Sequence, residues 1–146
     1  MSAARRAGVI AIDHGTKRTG FAVVDGLRIT SQPLDVFHGP GDGPGLLAHV
    51  AKLADERDVD TFLVGLPLNI DGTAGARCDD VKRFSAALAA RFPRMRVVHY
   101  DERLTTKAAD ELLVESGHTG DARKARRDSW SALVLLRDWL ASGEPN

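Results

Sequence analysis

The sequence predicts an α/β protein built on a mixed five-stranded sheet flanked by helices, in the order βββαβαβαα. Three observations lead there. Before residue 39, short apolar runs are separated by turn residues, the pattern of hairpin-linked strands. After the glycine- and proline-rich link at 39–45, apolar runs alternate with segments of helical periodicity. With 43% hydrophobic residues in 146, the chain can fill one core and is not of the disordered class. Hairpins make one side of the sheet antiparallel, and strand–helix alternation makes the other parallel.

Taken in order, residues 8–12 form a fully apolar strand, residues 13–20 a turn, and residues 21–24 the return strand. Asp25-Gly26 is a turn pair, so a third antiparallel strand is expected over residues 27–36, short or at an edge because it contains Pro33. Leu46, Leu47, Val50, Leu53 and Ala54 share one face of a helix over residues 46–57. Residues 61–64 make the fourth strand, ended by Gly65-Leu66-Pro67 and an Asn/Asp/Gly loop. Val81, Phe84, Leu88 and Phe92 recur at helical spacing over 79–91, and Pro93 closes that helix. The fifth strand covers residues 96–100. Thr105 caps a helix running to about Ser116, which Gly117 stops. A basic link, Arg123 to Arg127, then leads into a last helix that opens at Asp128, carries Trp130, Leu133, Leu136 and Trp139, and ends near Ala141. One domain over residues 1–146 is expected, with 1–7 and 142–146 as flexible ends.

Charge and cysteine content narrow the function. Twenty basic residues balance 20 acidic ones, so any nucleic-acid partner must be met by a local patch. The N-terminal apolar run is too short for a signal segment or a membrane span. Cys78 has no cysteine to pair with. A cytoplasmic location with no membrane partner is the expectation.

Three acids stand where chemistry is expected. Asp13 ends the first strand and precedes Gly15-Thr16-Lys17-Arg18-Thr19-Gly20, a turn that lets backbone approach an anion and adds a hydroxyl and two cations. Such an acid either accepts hydrogen bonds from that turn or holds a metal bridged to a phosphate. Asp101 and Glu102 follow the fifth strand. Both can be first-turn acids of the next helix, or one of them can serve a site. Asp128 is a helix-start acid or a ligand, and the basic cluster before it, including Lys124, Arg126 and Arg127, is a solvated surface or a phosphate-contacting patch. Asn69, Asp71 and Thr73, after the fourth strand, suit either a turn or the positioning of a ligand. The five histidines show no metal-ligand spacing; His14 and His99 are expected to pack or bond locally.

Four segments together resemble the YqgF family: Ala11–Gly20, Val64–Thr73, Asp101–Thr106 and Asp128–Ala132. Its members are assigned to Holliday-junction resolution and to nucleolytic processing of small-subunit ribosomal RNA precursors. The resemblance runs from about residue 8 to residue 140. It departs at Arg127, where the family usually has an apolar residue, and in the unusually glycine-rich 39–45 link.

The resemblance implies a ribonuclease-H-like fold with Asp13, Glu102 and Asp128 as catalytic acids. Hard carboxylate oxygens imply Mg²⁺ or Mn²⁺. Lys17, Arg18, Arg103, Lys124, Arg126 and Arg127 would hold the nucleic-acid backbone of branched DNA or precursor rRNA, with Thr16, Asn69, Asp71 and Thr73 positioning it. A homodimer would suit a four-way junction. Two other readings compete with this nuclease: a non-catalytic nucleic-acid-binding ribosome-maturation factor of the same fold, and an actin-like phosphotransferase, for which the chain supplies one lobe where two are needed.

Overall fold

The computed structural model describes residues 6–69, 71–102 and 120–146, the side chains of 120–128 excepted. Five strands form one sheet: β1 (Gly8–Asp13), β2 (Arg18–Val24), β3 (Ser31–His38), β4 (Val59–Leu66) and β5 (Arg96–Asp101). Their spatial order is β3-β2-β1-β4-β5. β1, β2 and β3 run antiparallel, whereas β1, β4 and β5 run parallel. Among the described residues the helices are α1 (Pro44–Asp55), α2 (Ala76–Arg91) and α3 (Gly120–Ala141). The expected mixed α/β sheet is therefore the observed one. The helix expected at 105–116 lies outside the described residues.

Alternation along β1 divides the core in two. Ile10 and Ile12 face α1 and α2, packing with Leu46, Val50, Val81, Phe84 and Leu88. Val9 and Ala11 face α3, packing with Leu133, Leu135, Leu136 and the fully buried Trp139. The same alternation puts Asp13 on the α3 side. The three parallel strands all end at one edge of the sheet, with Asp13, Gly65-Leu66 and Asp101-Glu102 side by side there. The 14–17 turn between β1 and β2 returns along that same edge.

Several boundaries differ from expectation: β2 already begins at Arg18, β4 spans Val59–Leu66 and α2 begins at Ala76, and three further differences have a clear physical reason. The third strand begins at Ser31, because Asp25 opens a longer loop: its Oδ1 accepts the N–H groups of Ile29 and Thr30, and Arg28 sits at φ 60°. Pro33 does lie on an edge strand, where the pairing with β2 shifts register between Gly20 and Ala22. α1 starts at Pro44, a residue whose fixed φ and missing N–H suit a helix's first turn. The basic run 123–127 is not a link: α3 already begins at Gly120, eight residues before Asp128. Ala, Arg and Lys are strong helix formers and extend the helix without any apolar face.

The C-terminus is tied to the segment before β1, to the β2–β3 loop and to α3. Glu144 pairs with Arg28 and Arg6, and the Trp139 indole donates to the Pro145 carbonyl. Among the described residues no helix is long and apolar enough to cross a membrane.

Candidate active site at the C-terminal edge of the parallel strands

Asp13 and Glu102 meet although 89 residues separate them in the chain. β5 ends at Asp101, which pairs with Leu66, and the Glu102 N–H then donates to the Leu66 carbonyl at 3.1 Å. That turn frees Glu102 from strand alternation. Its carboxyl comes to lie over Gly65 and within reach of Leu135 on α3: a Cβ built on Gly65 would overlap Glu102 Oε2 and meet Leu135 Cδ2 at 3.1 Å. Gly65 is thus the gap that admits the carboxyl between sheet and helix.

Glu102 is hydrogen-bonded to the Asp13 side chain. Burial pushes the Glu102 carboxyl up from its ordinary range, and the nearby charge of Asp101 adds to that. The Asp13 hydrogen bond and the positive charge of Arg77 pull the other way. Two carboxyls in contact cannot both ionise freely, so the pair calls for a shared proton or a cation.

Asp128 lies on α3, the helix that crosses the Asp13 face of the sheet. Its side chain lies outside the described atoms, as do those of Lys124, Arg126 and Arg127, and all of Arg103. The next residue, Ser129, is buried, and its Oγ donates to the Leu34 carbonyl of β3 at 2.6 Å. This bond fixes α3 against the sheet one residue from Asp128. Among the described residues no three His, Cys, Asp or Glu side chains group closely enough to hold a metal ion by themselves.

The 15–18 turn presents its side chains to solvent. Thr16, Lys17 and Arg18 are exposed, while Thr19 is buried and accepts the Gly15 N–H at 3.4 Å. The Lys17 and Thr16 carbonyls accept the N–H groups of Gly39 and Gly41, so the glycine-rich link braces the turn. Gly41 must be glycine for that: a Cβ there would strike the Gly15 carbonyl and His14 Nε2. His14 is buried, donates from Nε2 to the Gly41 carbonyl at 2.8 Å, and packs on Phe84. His99 bonds locally as expected, to Ser85 Oγ at 2.7 Å.

Asn69, Asp71 and Thr73 bond to one another. Asn69 Nδ2 donates to Thr73 Oγ1 at 3.0 Å, and Thr73 donates to Asp71 Oδ1 through both N–H and hydroxyl, at 3.0 and 2.6 Å. These are bonds of the kind that Asn/Asp/Gly turn chemistry favours.

Sequence reasoning missed Arg77. Its guanidinium donates to the His14 carbonyl at 2.8 Å and pairs with Asp80 at 3.2 Å. It lines a shallow recess of about 500 Å³ with Gly15, Thr16, Lys17 and Arg18. In the sequence it falls between the Asn/Asp/Gly loop and the helix expected over 79–91, where no pattern singles it out.

A central acid-bearing strand, two hairpin partners, two parallel strands beyond it and a long helix across one face make a ribonuclease-H-like fold. Solved structures of that kind match nearly the whole chain. The Thermus thermophilus RuvC in complex with its Holliday junction substrate gives a TM-score of 0.57 at 17% identity, covering 94% of this chain and 97% of that one. The Fowlpox virus resolvase in its Holliday junction complex gives 0.59 at 13% identity, covering 94% and 99%. At that identity these likenesses concern the fold.

The sequence comparison goes further. The family model RuvX, described as Holliday junction resolvase, matches residues 7–142. A candidate pre-16S rRNA nuclease of Agathobacter rectalis is 35% identical over 134 residues, covering 90% of this chain and 93% of that one. The chain belongs to the RuvX family, the nuclease family that its four motifs resemble.

Proposed function

We propose that this chain is an endonuclease that uses Mg²⁺ or Mn²⁺, held by Asp13, Glu102 and Asp128, to hydrolyse phosphodiester bonds in structured nucleic acid. The observation that carries this reading is the Asp13–Glu102 carboxyl pair at the ends of β1 and β5, on the sheet face crossed by α3. The donor set fits the metal: the carboxyls are hard oxygen ligands, and their mutual repulsion is what a divalent cation would relieve. Bound there, the ions would activate water and neutralise charge during in-line displacement at phosphorus.

The chain's own residues do the rest. Gly65 leaves room for Glu102, and Ser129 holds the Asp128 turn of α3 to β3. Lys17 and Arg18 stand exposed beside Asp13, where they would contact phosphates and fix the backbone without reading bases. Arg103, Lys124, Arg126 and Arg127 would extend that role. Thr16 and the 69–73 turn border the path.

Relatives named for precursor rRNA and a family described by junction resolution offer two substrates with one chemistry. A four-way junction carries two strands to be cut, so resolving it in one encounter calls for a homodimer. Work on either substrate belongs in the cytoplasm.

The test is cleavage of a four-way DNA junction and of a precursor rRNA fragment, side by side, with Mg²⁺, with Mn²⁺ and with chelator. Wild type is expected to cut only with metal, and Asp13→Asn to be inactive yet folded. Undiminished cutting by Asp13→Asn, or by wild type in chelator, would rule the site out. Binding without cutting would instead favour a maturation factor.

A further inference from the structure

Arg77 joins the backbone beside Asp13 to an exposed carboxylate on its own helix. It is in the first turn of α2, where the helix dipole disfavours a cation. Its Nη2 holds the His14 carbonyl, the backbone oxygen next to Asp13, at 2.8 Å. Its Nη1 reaches Asp80 Oδ2 at 3.2 Å. Asp80 is shared, because Arg83 also donates to it. The Arg77 and Asp80 side chains are 38% and 36% exposed, so this ion pair is solvated and weak.

The surroundings are cationic and open. Arg77 forms the wall of the recess that Gly15, Thr16, Lys17 and Arg18 complete, and its charge is felt by the Glu102 carboxyl. The recess therefore carries three cations, Lys17, Arg18 and Arg77, in the turn that follows Asp13 and on the helix beside it. A planar guanidinium suits bidentate bonding to phosphate oxygens, and an exposed carboxylate already bonded to a second arginine can release it at little cost.

We propose that Arg77 is a phosphate-contacting residue of the nucleic-acid path, held ready by Asp80 and handed over to a substrate phosphate when the substrate binds. This deepens the nuclease reading and rests on it. In the free protein Asp80 competes with substrate for Arg77. In the complex Asp80 keeps Arg83, and Arg77 joins Lys17 and Arg18 on the backbone. The contact with the His14 carbonyl stays, so the same side chain links the phosphate to the backbone that carries Asp13.

The experiment measures binding of a fluorescein-labelled four-way DNA junction by anisotropy across a salt series, in an Asp13→Asn background so that substrate stays uncut. Wild-type cutting is assayed in parallel. Arg77→Ala should weaken binding about tenfold near 0.1 M salt and make the log–log salt slope shallower by about 1, as loss of one phosphate contact does. Arg77→Lys should restore the slope. Asp80→Asn should tighten binding about two- to fivefold, the scale of an exposed ion pair, and that gain should vanish when Arg77 is already alanine.

A purely structural role would lower the melting temperature of Arg77→Ala and leave the slope alone, which would overturn the proposal. A gain from Asp80→Asn that survives in Arg77→Ala would overturn the handover, since Arg83 or bulk charge would then explain it. Failure of this inference alone would show as a wild type that cuts with an unchanged Arg77→Ala slope. A wild type that neither binds nor cuts would overturn the nuclease reading and this inference with it.

Discussion

The Glu102 carboxyl rests over the backbone of Gly65 and is hydrogen-bonded to the side chain of Asp13. Three strand ends are involved: β1 supplies Asp13, β4 the gap, and β5 the turn that swings Glu102 inward. The candidate site is therefore a property of strand register. Slipping β4 by one residue would put the Val64 or Leu66 side chain where the gap now is.

Gly65→Ala should damage the site more than the fold. The added methyl would overlap Glu102 Oε2 and press on Leu135. Overpacking of this kind costs about 1–3 kcal/mol. Displacing an acid by about 1 Å can cost about a hundredfold in rate. Gly75→Ala is the control, because its nearest neighbour, Asn69 Nδ2, is an ordinary 3.5 Å away. Cleavage rates and thermal melts of both variants decide it. Equal activity in Gly65→Ala and wild type would mean that Glu102 need not sit there.

Glu102 makes the metal-free protein sensitive to pH. Its folded-state pKa is raised, chiefly by burial. A raised carboxyl binds its proton more tightly in the folded state than in the unfolded one. Its stabilising contribution is complete below the ordinary value of 4.5 and is lost as pH rises through the raised value. Without metal, wild type should lose stability over that range, and Glu102→Gln should lose less. Mg²⁺ or Mn²⁺ should raise the melting temperature of wild type near neutral pH by relieving the carboxylate pair, and raise that of Glu102→Gln much less. A metal response equal in both proteins would remove Glu102 from the cation site.

These relationships were unequally legible in the sequence. Asp13 could be read because an apolar strand ends on it and a glycine-bounded turn follows. The choice between Asp101 and Glu102 could not, because alternation assigns faces only while a strand continues, and β5 stops between them. The start of α3 is not legible from apolar periodicity, because its first turns, Gly120 to Arg127, have none; only their helix propensity signals it. Arg77 was missed for another reason. Its partner, the His14 carbonyl, is 63 residues away, and no local pattern reports so distant a contact.

His14 should be a neutral, Nε2-protonated imidazole near pH 6.5. Nε2–H donates to the Gly41 carbonyl at 2.8 Å, and Nδ1 faces Arg77 Nη2 at 3.4 Å. Burial holds its pKa below the ordinary 6.5, opposed by the Gly41 bond. A histidine with a depressed folded pKa contributes stability above its unfolded pKa, and that contribution is lost as pH falls through the depressed value. Imidazole nitrogen NMR shifts report both tautomer and titration. An Nδ1–H tautomer, or titration above the ordinary value, would contradict the packing of His14 between the turn and α2.

Ser129→Ala tests whether the attachment of α3 to β3 matters for catalysis as well as for stability. The buried Ser129 hydroxyl donates to the Leu34 carbonyl at 2.6 Å, so its loss should cost about 1 kcal/mol and leave that carbonyl short of a donor. The neighbouring Asp128 gains freedom when the helix is released, so cleavage should fall further than the change in folding accounts for. Arg137→Ala removes another α3–β3 bond, an exposed one of 3.3 Å to Ser31, and should change stability by no more than about 0.5 kcal/mol and leave cleavage unchanged. Chemical denaturation gives the stabilities, and single-turnover cleavage at saturating protein gives the chemical step. If Ser129→Ala lost stability but cut at the wild-type rate, the Leu34 bond would serve the fold alone and Asp128 would have to be held by other contacts of α3.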